Sequence, residues 1–291
     1  MRRAGDRQFV TERNRRHQSF DFVKAIRAAT PDFKGKIDLR GREKLHTIQS
    51  VHEFPDNYRM NSQPAKRDRL IVALDVATKA QALDLVKQLS GAVSFFKIGL
   101  QLYTALGPEI IAAVKETGAN VFLDLKLFDI PNTVARAVEA AGKLGVQMLT
   151  VHLSGGREMI EAAVSAQADG MLLLGVTVLT STNAETLREI GIDSPVEEQV
   201  LRLASLGAAA QIGGFVASPH EIKALRVRQG DKVKLVVPGV RPAWAEPGDQ
   251  KRFMTPRDAL QNGADYLVIG RPITLHPQPL EAVERILGDL A

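Results

Sequence analysis

The sequence predicts an α/β fold in which eight parallel strands and eight helices form a single-domain (β/α)8 TIM barrel over residues 69–291. Short runs rich in Val, Ile, Leu and Phe alternate there with longer segments of helical periodicity. Strands that are apolar almost throughout are typical of a parallel sheet whose two faces are both covered. Eight such units in about 220 residues match the size of a minimal barrel.

The elements follow one another in a regular order. Strands are predicted at 70–75, 94–99, 121–126, 148–152, 171–178, 214–217, 234–238 and 266–270. Helices are predicted at 79–89, 108–117, 134–144, 158–168, 196–206, 219–228, 256–263 and 279–290. A doubly wound sheet is the alternative, but it usually has fewer strands and a glycine-rich turn after the first. Here the first strand runs into Asp75-Val-Ala-Thr78, which contains no glycine.

The basic character of the chain lies in its first part. The whole chain has a net charge of +5, to which residues 1–68 contribute +7 and the remainder −2. A basic segment can attract nucleic acid, but a solvated, poorly ordered extension is the simpler interpretation. Met60 precedes a short polar segment before the first strand, so we hypothesise that residues 1–59 lie upstream of the natural start.

Composition excludes several classes of site and location. The chain has no cysteine, which excludes disulfides, thiolate zinc sites and cysteine nucleophiles. Its six histidines are scattered, without the spacing of a metal site. No apolar run reaches the length of a membrane span, and the N-terminus lacks the apolar core of a secretory signal. We expect a cytoplasmic location, and no pattern in the composition indicates a metal site.

Charged residues stand at the ends of the first three predicted strands, where a barrel carries its chemistry. They are Asp75, Lys97, Asp124 and Lys126. Because side chains alternate along a strand, Asp124 and Lys126 are expected to point together into the barrel mouth. Lys97 can reach Asp124 from the neighbouring strand, and Asp129 follows on the loop. The sequence therefore predicts an alternating Lys–Asp–Lys–Asp array.

Such an array has a chemical use. Flanking carboxylates favour the protonated form of Lys126, so it can act as a general acid. A fixed carboxylate at Asp124 would disfavour a substrate carboxylate beside it, and this penalty would vanish as CO2 leaves. Stabilisation of the developing carbanion by the ammonium is the other contribution. The alternative is a buried salt-bridge network without chemistry.

The loops after strands seven and eight are where such barrels usually bind phosphate. The first, 237–252, is long and punctuated by Gly and Pro, and it carries Arg241 and Gln250. The second, 269–274, contains Gly270, which allows close backbone approach, and Arg271, whose guanidinium offers several donors. Either loop alone could be a plain surface loop, but both at the expected strands indicate a phosphorylated substrate.

These segments together resemble the orotidine 5′-monophosphate decarboxylase family. The resemblance covers about residues 70–291, and its motifs occur in the family's order. They are DLKLFDIPNT at 124–133, FKIG at 96–99, VTVLTS at 176–181, PGVRP at 238–242, GDQ at 248–250 and VIGRP at 268–272. The resemblance implies the last step of pyrimidine (UMP) biosynthesis, with no metal or organic cofactor.

The resemblance also implies individual roles. Lys126 would donate the proton to C6 of the pyrimidine, Asp124 would lie near the departing carboxylate, and Lys97 would complete the charge array and contact the ribose. Asp129 would enter the site of a partner subunit, which implies a homodimer. The remaining implied substrate contacts are Asp75 and Thr133 for ribose, Thr180 for pyrimidine, and Arg241, Gln250, Gly270 and Arg271 for phosphate.

One departure and two alternatives stand beside this interpretation. Many members of the family carry His where this chain has Phe128, and we expect activity to survive that change. His152, at the end of the fourth strand, is interpreted as a hydrogen-bonded structural residue. Related barrels act on sugar phosphates with Mg²⁺, but they place an acidic ligand where this chain has Lys97. A non-catalytic nucleic-acid binder would use the basic extension.

Overall fold

The computed structural model describes residues 65–245 and 254–290. Within these ranges eight parallel strands pair in chain order, and the eighth pairs again with the first, so the sheet is a closed barrel. In chain order, β1 to β8 are Leu70–Ala73, Phe95–Gly99, Asn120–Leu127, Met148–His152, Leu172–Val176, Gly214–Val216, Lys234–Pro238 and Tyr266–Ile269. The predicted (β/α)8 barrel is confirmed, and closure excludes the doubly wound alternative.

Helices connect the strands around the outside of the barrel. In chain order, α1 to α12 are Lys66–Arg69, Lys79–Leu89, Leu100–Leu106, Glu109–Lys115, Pro131–Lys143, Gly156–Ser165, Ala184–Glu189, Val196–Ala209, Ile222–Gln229, Pro256–Gln261, Arg271–Thr274 and Pro279–Asp289. No helix in the described ranges is long and apolar enough to cross a membrane. Most of the predicted extension, residues 1–64, lies outside the described residues, as does Gln250.

The helix boundaries follow local capping chemistry. Thr78 caps α2 in a reciprocal arrangement with Gln81, and Pro131 begins α5 three residues before the predicted start. The sequence patterns missed four short helices: α1, which directly precedes β1, and α3, α7 and α11, which lie inside βα connections. A sequence signal for α7 was available, because asparagine is favoured at helix N-caps. Asn183 takes this role, and its side chain accepts a hydrogen bond from the backbone N–H of Thr186.

The core has two layers separated by the barrel wall. Side chains that point into the barrel form the inner layer, exemplified by Ile71, Phe122 and Val268. Outward-pointing strand side chains such as Leu123 pack against helix side chains such as Ile286 and form the larger outer layer. The strand residues are buried on both faces, which explains why the strands read as continuous apolar runs.

The pairing of β3 with β4 contains an irregularity next to the charged strand ends. Leu123 pairs with Leu149, and the next aligned pair is Leu127 with Val151. Three residues of β3 therefore lie opposite a single residue of β4, Thr150. This bulge allows β3 to extend through the two charged residues that the sequence analysis singled out.

Candidate active site

Four charged side chains meet at the carboxyl end of the barrel: Asp75 follows β1, Lys97 lies on β2, and Asp124 and Lys126 lie on β3. Lys97 Nζ lies 3.2 Å from Asp75 Oδ1 and 3.7 Å from Asp124 Oδ2. Lys126 Nζ lies 2.9 Å from both carboxylate oxygens of Asp124. Asp124 therefore lies between two ammonium groups, and Lys97 lies between two carboxylates.

The environment keeps Asp124 ionised. Its side chain is 13% exposed, and burial alone would raise its pKa. The charges of Lys97 and Lys126, together with hydrogen bonds from Lys126 and Thr150, outweigh burial and lower the pKa of this carboxyl below its usual value. The site therefore holds a nearly buried anion at neutral pH.

Lys126 reaches Asp124 from an unusual backbone conformation. Its φ is +52°, in the left-handed region that non-glycine residues rarely adopt. Simple strand alternation predicted that both side chains would share the inward face, but the chain instead reaches this arrangement through the β3 bulge. Leu125 and Leu127 pack against the outer core, as alternation predicts. The conformation could not be seen in the sequence because it depends on the register with β4.

Thr150 is a site residue that the sequence analysis missed. It is fully buried on β4, its hydroxyl accepts a hydrogen bond from the backbone N–H of Lys126 at 2.8 Å, and it donates one to Asp124 Oδ1 at 3.0 Å. Threonine is a common strand former, so its presence in an apolar strand gave no specific signal. The one available signal was position: Thr150 is a polar residue on the inward face of β4, next to the charged end of β3.

A cavity of about 240 Å³ opens beside the charged cluster. Its walls combine three kinds of surface. Asp75, Lys97, Asp124 and Lys126 form the charged part; Phe122, Val176, Val178, Val216, Ala217 and Val268 contribute apolar groups; and Thr180, Gly239, Arg241, Gly270 and Arg271 come from the loops after β5, β7 and β8. One cavity thus joins a carboxylate–ammonium cluster, an apolar surface and two guanidinium groups, a combination suited to an anionic, partly planar ligand.

Gly99 makes room for the charged cluster. A Cβ atom at this position would lie 2.9 Å from Lys97 Nζ and 3.5 Å from Asp75 Oδ1. The backbone there is extended, so glycine is required by space and not by torsion angle. The close approach explains the use of glycine at the end of β2.

The loop after β7 is anchored close to the cavity. The backbone N–H of Arg241 donates to the Met254 carbonyl at 3.0 Å, which joins the two described sides of the loop. The ring of Trp244 lies 4.4 Å from the guanidinium carbon of Arg285 and contacts His276 edge to face. These contacts were not predicted, because the partners are far apart in the sequence.

Three of the expected site residues do not line the cavity of this chain. Asp129 and Thr133 are exposed beyond β3, and the Asp129 carboxylate accepts a hydrogen bond from the Ile130 backbone N–H at 2.6 Å. Gln250 lies outside the described residues. The array in this chain is therefore Asp75–Lys97–Asp124–Lys126: Asp129 does not extend it beyond Lys126, and Asp75 pairs with Lys97 at the other end.

His152 lies next to the cluster without entering the cavity. Burial and the nearby Lys126 charge lower the pKa of its imidazole, while Asp124 opposes that effect, so the surroundings favour the neutral ring. Its ring contacts Phe128 edge to face at a centroid distance of 5.9 Å. Among the described residues the expected hydrogen bond of this imidazole is not found.

In the described ranges, 65–245 and 254–290, no group of three or more His, Asp or Glu side chains is arranged to hold a metal ion.

Comparison with known proteins adds independent information. The family model described as "Orotidine 5'-phosphate decarboxylase / HUMPS family" matches residues 68–286. Orotidine 5′-phosphate decarboxylase of Pelobacter propionicus is 50% identical over 236 residues, covering 79% of this chain and 98% of the relative. That of Syntrophotalea carbinolica is 48% identical over 233 residues, covering 77% and 96%. The crystal structure of the Lactobacillus acidophilus enzyme superposes with a TM-score of 0.68 at 36% identity, covering 77% of this chain and 99% of that one.

Proposed function

This chain belongs to the orotidine 5′-phosphate decarboxylase / HUMPS family, it decarboxylates orotidine 5′-monophosphate, and we propose that Lys126 protonates the carbanion this reaction leaves. The products are CO2 and uridine 5′-monophosphate, the end product of de novo pyrimidine biosynthesis. The observation that carries the proposal is the position of Lys126 Nζ, which lines the cavity 2.9 Å from both oxygens of Asp124.

The reaction needs one bond to break and one to form. The bond from C6 of the pyrimidine to the carboxylate breaks, and its electron pair stays on C6. The Lys126 ammonium then gives a proton to C6, and the amine regains a proton from water. An ammonium held beside C6 stabilises the developing negative charge before the transfer, which is preorganised electrostatic catalysis.

Asp124 supplies the second contribution. Because its carboxylate is ionised and nearly buried, a substrate carboxylate beside it would meet electrostatic repulsion that is relieved when CO2 leaves. Lys97 pairs with both Asp124 and Asp75, and all three line the cavity. We propose, as the family resemblance implies, that Lys97 and Asp75 contact the ribose. A divalent cation at this point would meet the Lys97 ammonium, which favours the metal-free reaction over a Mg²⁺-dependent one.

The far end of the substrate is an anion, and the cavity presents cations to it. Arg241 and Arg271 line the cavity, and Gly270 permits close backbone approach there. We propose that these three hold the phosphate together with Gln250, and that Thr180 lies by the pyrimidine. Binding energy at the remote phosphate can be used to stabilise the transition state.

The active species is proposed to be a homodimer in which Asp129 and Thr133 complete the partner's site. Large apolar side chains beside Asp129 support an interface: Phe128 is 62% exposed and Ile130 is 66% exposed.

We further propose a cytoplasmic location, a decarboxylase domain at 69–291 and a separate extension at 1–68.

A substitution experiment tests the role of Lys126. Lys126→Ala is expected to keep the fold and lose nearly all turnover, followed by the loss of the orotidylate absorbance without added metal. Lys143→Ala, which removes an exposed lysine on α5 paired with Glu139, is the matched control and should turn over like the wild type. Equal rates for Lys126→Ala and the wild type would overturn the assignment. Loss of wild-type activity in EDTA, restored by Mg²⁺, would favour the sugar-phosphate alternative.

Subunit mixing tests the shared site. Lys126→Ala and Asp129→Ala proteins, each nearly inactive, are mixed under conditions that exchange subunits. Half of the dimers are then hybrids, each with one intact site, so the mixture should recover about one quarter of wild-type activity. No recovery despite subunit exchange seen by native mass spectrometry would contradict the shared site.

A further inference from the structure

The hydroxyl of Thr150 occupies a place where a strand would ordinarily present a backbone carbonyl. Leu149 and Val151, on either side of it, pair with Leu123 and Leu127 of β3. Three β3 residues lie between those pairs, so their backbone groups cannot all find partners on β4. The backbone N–H of Lys126 is one of them, and it donates to the Thr150 hydroxyl at 2.8 Å.

The same hydroxyl is also committed to Asp124. A hydroxyl carries one donor hydrogen, and that of Thr150 goes to Asp124 Oδ1 at 3.0 Å. The residue is completely buried, so water does not compete for either hydrogen bond. Its β-branched side chain has restricted rotation, which fixes the direction of both bonds.

We propose that Thr150 is a positioning residue that aims Asp124 and Lys126 at the reacting carbon. One hydrogen bond orients the Asp124 carboxylate, and the other holds the backbone of Lys126 in its left-handed conformation, which determines where the ammonium lies. The inference rests on the decarboxylase function proposed above. Thr150 does not line the cavity, so it acts through these two residues and does not contact the substrate.

Replacing the hydroxyl by a methyl group tests this role. Thr150→Val keeps the shape and the β-branch but leaves the Lys126 N–H unpaired and the Asp124 carboxylate short of one donor. We expect kcat to fall by about 10- to 100-fold. Since the phosphate contacts are untouched, KM and the calorimetric Kd for uridine 5′-monophosphate should change less than about threefold. Thr150→Ser restores the hydroxyl and should recover most of kcat.

Thr177→Val is the matched control. Thr177 is 3% exposed, and its hydroxyl donates to the Val216 carbonyl at 3.3 Å, away from Asp124 and Lys126. It should lose some stability and keep kcat. The positioning role is overturned if Thr150→Val keeps the wild-type kcat. It is also overturned if the kcat of Thr150→Val falls no further than that of Thr177→Val. Failure of Thr150→Ser to recover kcat would also overturn it.

Two further outcomes keep the inference separate from its premise. A wild-type protein that does not turn over orotidine 5′-monophosphate would refute the proposed function, whereas an active wild type with an unaffected Thr150→Val refutes the positioning role alone. If Thr150→Val does not fold, Thr150→Ala decides in its place by the same kcat criterion. If neither variant folds, the hydroxyl holds the barrel together and the inference is wrong.

Discussion

Gly99→Ala is a small change whose effect can be worked out from the site geometry. The added methyl carbon would lie 2.9 Å from Lys97 Nζ. Ordinary contacts with carbon are about 3.5 Å or longer, so the ammonium must retreat by roughly 0.6–1 Å. Lys97 Nζ is now 3.2 Å from Asp75 and 3.7 Å from Asp124, and we expect a shift of this size to lengthen at least one of these ion pairs.

The expected result is loss of activity without loss of fold. A displacement of about 1 Å among catalytic groups can cost about 100-fold in rate, so kcat/KM should fall by about 10- to 100-fold. The obstructed atom is the end of a flexible side chain, and the Gly99 backbone, with φ −94°, accepts alanine. The melting temperature should therefore change by less than about 3 °C.

The assay is the loss of orotidylate absorbance, with melting followed by circular dichroism on the same samples. Gly288→Ala is the control, because a Cβ at that position in α12 would meet nothing within 4 Å. It should leave kcat/KM unchanged. The reasoning is refuted if Gly99→Ala turns over at the wild-type rate, since Lys97 would then tolerate displacement. It is also refuted if Gly99→Ala unfolds, since the backbone and not Lys97 would then be the obstacle.

Three other outcomes are expected. In Gly214→Ala the new Cβ would lie 2.5 Å from the Lys234 carbonyl oxygen, which belongs to the barrel wall, so the melting temperature should fall by about 5 °C or more in calorimetry. Arg271→Ala removes a proposed donor to the phosphate and should raise KM by about 10-fold or more with the fold intact; an unchanged KM would remove Arg271 from the proposed phosphate site. Because the pKa of Asp124 is depressed below its usual value of 3.8, its stabilising charge is present above that value and is lost as pH falls through the folded pKa. Turnover and melting temperature should show no Asp124 step between about pH 5 and pH 8, and a step within that window would contradict the depressed pKa.

The sequence by itself determined the barrel and the neighbourhood of its chemistry. Burial on both faces leaves an apolar run in each strand, so the eight strands could be counted without knowing which strands touch. A charge at the end of such a strand is costly unless it is paired, and Lys97, Asp124 and Lys126 are indeed brought together. The glycines and arginines after β7 and β8 could be assigned to the same cavity because parallel strands all end at one edge.

Only the tertiary structure decided how these residues are aimed. Besides Asp124, Lys97 pairs with Asp75, whereas Asp129 is exposed beyond β3 and does not line this chain's own cavity. Strand alternation could not predict the left-handed backbone of Lys126 or its bond to Thr150, because both arise from the register between β3 and β4. Local sequence reports which face a residue occupies, but register is set by contacts between distant segments, and in this site the register accompanies the backbone conformation of Lys126 and its hydrogen bond to Thr150.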